Sequence, residues 1–386
     1  MGYWAQLLEE LLVGVAERIP LMEDLIAFGG VCRSWRSVAT KQQNFKGSQQ
    51  VPWLMLSEEE EDERRFVSLT KGGMIRRTAL PEAWGKRCLE TLGWFVTVSK
   101  DGEMSLLHPF SRVEIPLPHI NTFKNYIKDG MINNFIFIRK AVLSSSPDSL
   151  GKNNNDYVLM VSYGGCGWLG FWRPGDKTWT TIESRRGAFS DISYYNGKFY
   201  GVDLGGCIFA CDIGGPNETV AEVVGRIPRE FMNYMRPYLV ESDGVLLVVV
   251  RDGTHLDFLG DYGDNPNADV YHLDESRIDY GAEEFRVLEV DLNNAGRGWR
   301  EKKSLGAKAL FLGDNVSISV EASKFPGIKA NCIYYTDDCW ESYQCFKRGG
   351  GKDMGIYNLE DESQTPFYKG ESFSPICPPI WVNPSF

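Results

Sequence analysis

Few of the side chains that commonly do chemistry stand at the spacings that a catalytic or metal site requires. Two imidazoles on one metal need a spacing such as His-x-x-x-His. None of the four histidines has a partner at that distance; they are His108, His119, His255 and His272. No Cys-x-x-Cys pair occurs among the nine cysteines, which argues against a zinc site. We therefore expect structural or surface histidines and no bound metal.

Motifs for phosphate binding and nucleophilic catalysis are missing too. The run Gly349-Gly350-Gly351-Lys352 lacks the Walker spacing, and Asp353 follows it instead of a serine or threonine. No Gly-x-Ser-x-Gly elbow occurs. Cys207 and Cys211 share one face if their segment is a strand, which predicts buried thiols. The sequence thus predicts no catalytic residue and no cofactor, and it favours a protein that works by holding other proteins.

The segment 252–284 combines acidic and aromatic side chains in a way that could grip a basic partner. It contains ten acids and one base, Arg277. Long connections in compact domains are often functional, and loop residues can recognise a partner because they are not committed to the core. Two interpretations remain open, a solvated loop between strands and a client-binding loop. The candidate client-binding residues are Phe258, Tyr262, Tyr271 and Tyr280.

Composition narrows the class of protein. Hydrophobic residues make up 43% of the 386, which is enough for a sizeable core. The net charge of −11 argues against a nucleic-acid binder, because such proteins usually have a basic surface. An odd number of cysteines without an apolar leader predicts a reducing compartment. No apolar run approaches the roughly 18 residues of a membrane span.

The first 45 residues have the periodicity of short amphipathic helices. Apolar residues recur at helical spacing from Leu7 to Ile19, and Pro20 ends this first helix. A second short apolar set follows, and Val31 and Trp35 share one face of a third helix. Three helices this short cannot bury all their apolar surface among themselves, so part of it must meet a partner or the rest of the chain.

From residue 52 onward short apolar runs alternate with turns, which indicates a mainly β domain spanning 52–386. Asn196-Gly197 and Asp243-Gly244 are typical of tight hairpin turns, because their residues accept positive φ angles. The doublets Gly164-Gly165 and Gly205-Gly206 stand 41 residues apart. Hairpins repeated at about this interval suit the blades of a β-propeller, and the segment has room for about six or seven.

A closed ring of blades needs its two ends to meet, since an open sheet edge invites aggregation. We therefore expect residues 52–56 (Pro-Trp-Leu-Met-Leu) to lie near the residues around Trp381. The boundary between the helical and β parts falls near residues 45–51.

The N-terminal segment carries three groups of residues that together resemble an F-box. They are residues 4–12 (Trp-Ala-Gln-Leu-Leu-Glu-Glu-Leu-Leu), residues 23–25 (Glu-Asp-Leu) and residues 31–36 (Val-Cys-Arg-Ser-Trp-Arg). In that family the motif docks on the Skp adaptor of cullin-RING ubiquitin ligases. Leu8 stands where the family usually has proline, and Pro20 stands where a serine often caps the second helix. The resemblance places the adaptor contacts on Leu7, Leu8, Leu11, Leu12, Val31, Cys32 and Trp35.

The β region resembles plant F-box proteins with a C-terminal kelch-like β-propeller. The matching segments are 52–56, 285–291 leading to Trp299, 305–306, 309–313, 325–327, 331–338, 356–361 and 378–385. The resemblance implies a three-helix F-box at 1–45 followed by a kelch-like β-propeller. It also implies a non-catalytic substrate-recognition subunit of a Skp–cullin–F-box ubiquitin ligase, located in the nucleus, the cytoplasm or both. The partners would be the Skp adaptor, through it a cullin-RING ligase, and a client protein, without nucleic acid or membrane.

Two other functions remain open. The two differences from the F-box pattern, at Leu8 and Pro20, would suit a propeller scaffold that acts outside the ligase. A propeller enzyme is the other alternative, since some kelch-like propellers are copper oxidases. Such a site needs tyrosine, histidine and cysteine ligands at one place, and the scarcity of histidines argues against it.

Overall fold

The computed structural model of the protein describes residues 7–19, 22–42, 50–57, 63–70, 73–126, 134–147, 156–184, 187–214, 219–232, 236–253, 257–258, 278–292, 298–315, 317–339 and 346–385. Within these ranges the chain forms four α-helices. They are α1 (Glu9–Ala16), α2 (Met22–Gly29), α3 (Arg33–Ala39) and α4 (Asn134–Phe137). The first helix is shorter than its apolar periodicity predicts, and Val31 precedes α3 instead of lying on it.

Strands make up most of the remaining regular structure. In chain order they are β1 (Trp53–Met55), β2 (Glu63–Ser68), β3 (Met74–Ala79), β4 (Arg87–Thr91), β5 (Trp94–Val98), β6 (Met104–Leu107), β7 (Glu114–Leu117), β8 (Ile138–Leu143), β9 (Leu159–Tyr163), β10 (Trp168–Trp172), β11 (Thr180–Ile182), β12 (Phe189–Tyr195), β13 (Lys198–Asp203), β14 (Cys207–Cys211), β15 (Glu222–Arg226), β16 (Arg236–Ser242), β17 (Val245–Arg251), β18 (Asp257–Phe258), β19 (Ile278–Asp279), β20 (Phe285–Asp291), β21 (Gly298–Lys302), β22 (Lys308–Leu312), β23 (Ser317–Glu321), β24 (Cys332–Tyr335), β25 (Gly355–Asn358), β26 (Gln364–Thr365) and β27 (Ile380–Val382).

These strands build a six-bladed β-propeller, so the predicted fold class is confirmed and the number of blades is six. From the innermost strand outward, blade one is β27-β1-β2-β3, blade two β4-β5-β6-β7 and blade three β8-β9-β10-β11. Blade four is β12-β13-β14-β15, blade five β16-β17-β20-β21 and blade six β23-β22-β24-β25-β26. The small β18-β19 ribbon lies within the connection between β17 and β20.

The ring closes by pairing strands from the two ends of the propeller, as the sequence predicts. β27 pairs antiparallel with β1, and Trp381 lies opposite Leu54. The last strand is thus the innermost strand of the first blade. This arrangement joins both ends of the propeller within one sheet, so neither end leaves an open blade.

The Asx-Gly hairpins form as their sequences predict. Asn196 and Gly197 have φ angles of 46° and 80° between β12 and β13. Asp243 and Gly244 have φ angles of 52° and 73° between β16 and β17. Two successive positive φ angles match the right-handed twist of the flanking strands, which is why these dipeptides favour two-residue hairpins.

Blade six departs from the pattern of successive hairpins. β22 pairs antiparallel with β23 on one side and parallel with β24 on the other, where Ala309 lies opposite Cys332. A parallel pair cannot be joined by a tight turn, so the chain crosses back through residues 322–331 before β24 begins. Sequence periodicity does not predict this crossover, because each of the strands taken alone looks ordinary.

The hydrophobic core consists of clusters that each join two neighbouring blades. Trp94 of blade two lies in one cluster with Leu159 of blade three, and Phe311 of blade six lies in one cluster with Leu54 of blade one. Cys207 and Cys211 are buried between blades three and four, as expected for core thiols. Apolar burial between blades therefore holds each sheet to its neighbours around the ring.

The N-terminal helices share the cluster that joins blades one and two. Leu12, Leu25 and Val38, one from each helix, are buried in it together with Phe66 and Ile380 of blade one. Asp24 of α2 also pairs with Arg76 of β3 at 3.4 Å. The helical segment is therefore mounted on the propeller by apolar packing.

A substitution of Trp381 tests the contribution of this residue to the closure of the ring. Its side chain is 1% exposed, and its indole Nε1 donates to the Leu312 carbonyl of blade six at 3.0 Å. We expect Trp381→Ala to lower the free energy of unfolding by about 3–5 kcal/mol, because it opens a cavity where the ends of the ring meet. Urea unfolding followed by circular dichroism measures the change.

Trp84→Ala is the matched control, because Trp84 is 42% exposed. We expect Trp84→Ala to lower the free energy of unfolding by less than about 1 kcal/mol. Equal losses for the two variants would show that Trp381 has no special part in closing the propeller.

Candidate functional site

An exposed apolar stripe runs along the first helix. Leu8, Leu11 and Val15 are 68%, 56% and 50% exposed, and their spacing puts them on one face of α1. Val31, in the turn between α2 and α3, is 55% exposed. Large apolar side chains with this exposure on one helix face commonly mark an interaction surface. We call Leu8, Leu11, Val15 and Val31 the helical face.

The other predicted adaptor contacts lie deeper. Leu12 is 1% exposed in the shared core cluster, so the expectation that it contacts a partner directly is corrected. Leu7 and Trp35 are half-buried against the same cluster, and the Trp35 ring lies 4.5 Å from that of Phe28. Cys32 is partly exposed. Sequence reasoning missed Val15, although its spacing of four residues from Leu11 could have identified it.

The conformation of Leu8 bears on its difference from the F-box pattern. Leu8 precedes the first turn of α1 with φ −60° and ψ 140°, and its carbonyl accepts from Leu11 and Leu12 at 3.1 and 3.2 Å. Proline has its φ fixed near this value. The backbone therefore keeps at Leu8 the conformation that the family's proline would have. Pro20, the second difference, lies outside the described residues.

Of the four predicted client-binding residues of 252–284, only Tyr280 has a described side chain. Tyr262, Tyr271 and the side chain of Phe258 lie outside the described residues. Tyr280 is 6% exposed, and its hydroxyl donates to Asp337 Oδ2 at 2.5 Å. Burial and the neighbouring Asp337 carboxylate raise the pKa of Tyr280. The expectation of an exposed anchor at Tyr280 is therefore corrected, because this ring belongs to the interior.

The two ends of that segment leave the propeller from a fixed base. Asp252 donates its backbone N–H to Glu284 at 2.9 Å, and Gly281 donates to Gly253 at 2.9 Å. Just inside this base the buried Arg251 guanidinium pairs with Asp338 at 2.9 Å and with Asp353. The two described ends of the segment thus continue the β17–β20 pair, and Arg251 ties that pair to blade six.

Buried ion pairs occupy one end of the central channel. Arg87, at the start of β4, pairs with Asp314 at 2.7 Å. Lys140 of β8 pairs with Asp191 of β12 at 3.4 Å. Buried charges need such partners because desolvation otherwise makes them costly. A cavity lined by Lys140 and Asp314, among others, has a volume of only about 20 Å³, so these charged side chains leave little space around them.

Further along the same innermost strands the channel widens into a cavity of about 350 Å³. All six blades contribute to its wall. Representative lining residues are Glu90 of β4, Leu143 of β8, Tyr194 of β12, Glu241 of β16, Ser319 of β23 and Asn383 just after β27. We call this cavity the channel mouth.

Glu90 is the most unusual group in the channel mouth. It is 2% exposed, and its Oε1 accepts the backbone N–H groups of Gly93 at 2.8 Å and Asn383 at 3.3 Å. Burial raises the pKa of Glu90 to about 8, and the two backbone donors offset only part of that rise. The free protein therefore keeps this carboxyl mostly protonated at neutral pH.

Across the ranges that the structure describes, no group of three or more His, Cys, Asp or Glu side chains has the arrangement of a metal site. None of the helices described there is long and apolar enough to cross a membrane.

The family of the protein follows from a comparison with known proteins. Residues 66–358 match the model of the KIB1-4 beta-propeller, which is well over half of the chain. The chain belongs to the KIB1-4 beta-propeller family. The matched residues run from β2 to β25 and contain the innermost strands of blades two to six.

Relatives extend the similarity to the N-terminal helices. The chain is 26% identical over 387 residues to "Putative F-box protein At5g55150" of Arabidopsis thaliana, covering 99% of this chain and 97% of the relative. It is 22% identical over 417 residues to the F-box protein SKIP23 of the same plant, covering 98% and 95%. The resemblance to plant F-box proteins with a C-terminal propeller is thereby confirmed.

Glu90 gives this KIB1-4 propeller a predictable dependence on pH. The pKa of Glu90 rises from 4.5 to about 8 on folding, so the folded state retains a proton that the unfolded state releases. Glu90 thus stabilises the fold fully below its unfolded pKa, and this contribution is lost as pH rises toward 8. Glu90→Gln cannot ionise and escapes the loss. We expect equal melting temperatures for variant and wild type at about pH 4 and a higher one for the variant at about pH 8.5.

Differential scanning calorimetry at the two pH values measures this difference. Glu222→Gln removes an exposed acid from the outermost strand of blade four and serves as the control. If Glu90→Gln and the wild type had the same melting temperature at both pH values, Glu90 would have an ordinary pKa in the folded protein.

Proposed function

We propose that the protein is the substrate-recognition subunit of a Skp–cullin–F-box ubiquitin ligase. The N-terminal helices dock on the Skp adaptor, and the propeller binds a client protein for ubiquitination. The observation that carries the proposal is the helical face, which stays exposed although the opposite side of the same helices is buried in the core.

The division of the first helix into two faces supports docking. Leu12 and Ala16 fix α1 to the core cluster, so Leu8, Leu11 and Val15 are held outward without help from a partner. A preformed apolar face loses little conformational entropy on binding. A few side chains buried at the centre of an interface usually supply most of its binding energy, each about 2 kcal/mol or more.

The mounting of the helices suits a subunit that works by proximity. The ligase subunit contributes no reacting group, since ubiquitin transfer uses a thioester-charged conjugating enzyme brought close to the client. Helices packed on blades one and two keep a fixed distance between the adaptor and a client held by the propeller. The same proposal places the protein in the nucleus, the cytoplasm or both, and leaves it without catalysis of its own.

Leu11 tests adaptor docking. Leu11→Lys adds a charge to the exposed stripe while leaving the buried side of α1 untouched, so the protein should remain folded. We expect affinity for the Skp adaptor to fall at least about tenfold, because a charge would be desolvated at the interface. Calorimetric titration of the full chain with purified adaptor measures the affinity.

Val223→Lys is the matched control. Val223 has the same exposure of 56%, but it lies on the outermost strand of blade four. It should leave adaptor binding unchanged. If Leu11→Lys, still folded by thermal melting, bound the adaptor like the wild type, the docking proposal would be wrong and a scaffold outside the ligase would be favoured.

Client capture needs a second experiment, made in cells with the proteasome inhibited. Proximity labelling with the wild type and with Leu11→Lys should mark the same clients, but only the wild type should shorten their lifetime once inhibition ends. A point substitution is preferable to deleting residues 1–45, because the deletion would expose Phe66 and Ile380 in the shared cluster. Clients that turn over equally with both proteins would contradict the proposal.

A further inference from the structure

The channel mouth takes no part in docking the adaptor, yet it has the form of a binding site. Its volume of about 350 Å³ lies within the range of small-ligand pockets. Glu241 at its rim is exposed, so the space is reachable from solvent. A cavity of this size can receive one or two side chains of a partner but not a folded domain.

The charge of the lining selects the kind of group that fits. Among the described residues around the channel mouth, Glu90 and Glu241 are acidic and none is a lysine or arginine. The nearby cations are engaged elsewhere, because Arg87 pairs with Asp314 and Lys140 pairs with Asp191 at the filled end of the channel. A cationic group entering the mouth would therefore meet two carboxyls and no competing positive charge.

Glu90 supplies an unused acceptor. Both backbone hydrogen bonds to this side chain end on Oε1. Oε2 receives no hydrogen bond from the residues that the structure describes, although Glu90 is 2% exposed and lines the cavity. Because Glu90 lines the cavity, a donor that enters it can hydrogen-bond to this carboxyl once the carboxyl has lost its proton.

The rim of the channel mouth adds an apolar contact. Leu92 lines the cavity, is 44% exposed, and has a φ angle of 50° in the turn between β4 and β5. Such a φ angle is uncommon for leucine, and glycine would adopt it without cost. Ile318 of β23 lines the cavity as well and is half-buried. An entering group that carries an aliphatic stem below its charge would contact these side chains.

We propose that the channel mouth receives the lysine or arginine side chain of an extended client segment, with the charged head at Glu90 and the aliphatic stem against Leu92. This proposal rests on the proposed function and names the part of the propeller that reads the client. Long basic side chains match both halves of the site, since their stems are apolar and their heads donate several hydrogen bonds.

The affinity of the channel mouth for a basic side chain should depend on pH through Glu90, and the neighbouring groups should not obscure this dependence. Besides Glu90, the charged groups and tyrosines on the innermost strands are Arg87, Arg139, Lys140, Asp191, Tyr194, Tyr195, Arg236, Tyr238, Glu241 and Glu321, and His108 and Asp314 directly follow β6 and Gly313. Of these, Tyr194 and Glu241 line the channel mouth with Glu90. His108 stays neutral because burial lowers its pKa to about 3. Burial raises the pKa of Glu90 to about 8, so a cation must displace the proton of Glu90 to pair with it. Binding should therefore tighten as pH rises toward 8.

Three fluorescent heptapeptide libraries with one fixed central residue test the site. The fixed residue is lysine, norleucine or glutamate, and the flanking positions are randomised. By fluorescence anisotropy the full chain should bind the lysine library at least about tenfold more tightly than either other library at about pH 8. This preference should shrink at about pH 6. Equal binding of the lysine and norleucine libraries would overturn the proposal.

Variants show which residues produce the preference for the lysine library. Glu90→Gln should remove most of the lysine preference and its pH dependence, whereas the distant Glu222→Gln should keep both. Leu92→Gly suits the φ angle of that turn, so it should fold normally and bind all three libraries more weakly. A lysine preference that survives in Glu90→Gln would place the binding site elsewhere.

Two further measurements separate the possible failures. Butylammonium should compete only at concentrations far above those of the peptides; if it bound as tightly as the lysine library, the site would be one for small amines and the proposal would be wrong. Adaptor binding is measured separately, through Leu11→Lys. Loss of the lysine preference together with intact adaptor binding would refute this inference and leave the ligase function standing.

Discussion

Six β-sheets arranged around one axis leave each innermost strand with one edge that no other strand of its sheet pairs. The backbone groups on those edges are buried in the channel wall and must find partners. Side chains from other blades supply them. Leu143 donates its N–H to Thr91 at 2.9 Å, Leu239 donates to Asp191 at 2.8 Å, and Ala141 donates to Asn315 at 2.7 Å. Polar side chains in the channel are therefore a requirement of the architecture, not an addition to it.

This requirement gives the two ends of the channel different characters. Asp191 accepts from a backbone N–H and so stays buried, and its charge then needs Lys140 beside it. At this end the polar groups compensate one another and leave little space. Glu90 accepts backbone donors in the same way but has no cation beside it, and its pKa rises instead. The need to pair the backbone groups of the innermost strands thus produces both a filled end and an open, acidic end of the same channel.

Local signals predicted most of the fold. The Asn196-Gly197 and Asp243-Gly244 turns, the apolar periodicity of α1 and the pairing of the two ends all follow from neighbouring residues or from the need to close a ring. The parallel β22–β24 pair was not predictable in this way. Nor was the role of Glu90, because Asn383 lies far from it in the sequence. Aromatic character alone also misplaced Tyr280, whose burial depends on Asp337.

The N-terminal helices pack on residues that are synthesised much later than the helices themselves, and this has a consequence for the nascent chain. The helices leave the ribosome long before Cys377, Ile380 and Val382, which form part of their packing surface. Domains of nascent chains generally fold as units once their residues have emerged. An unfinished chain therefore lacks part of the support that orients the helical face. Only a closed propeller that includes residues 377–382 presents that face as the structure shows it, so the face becomes ready for assembly only after those residues have been synthesised.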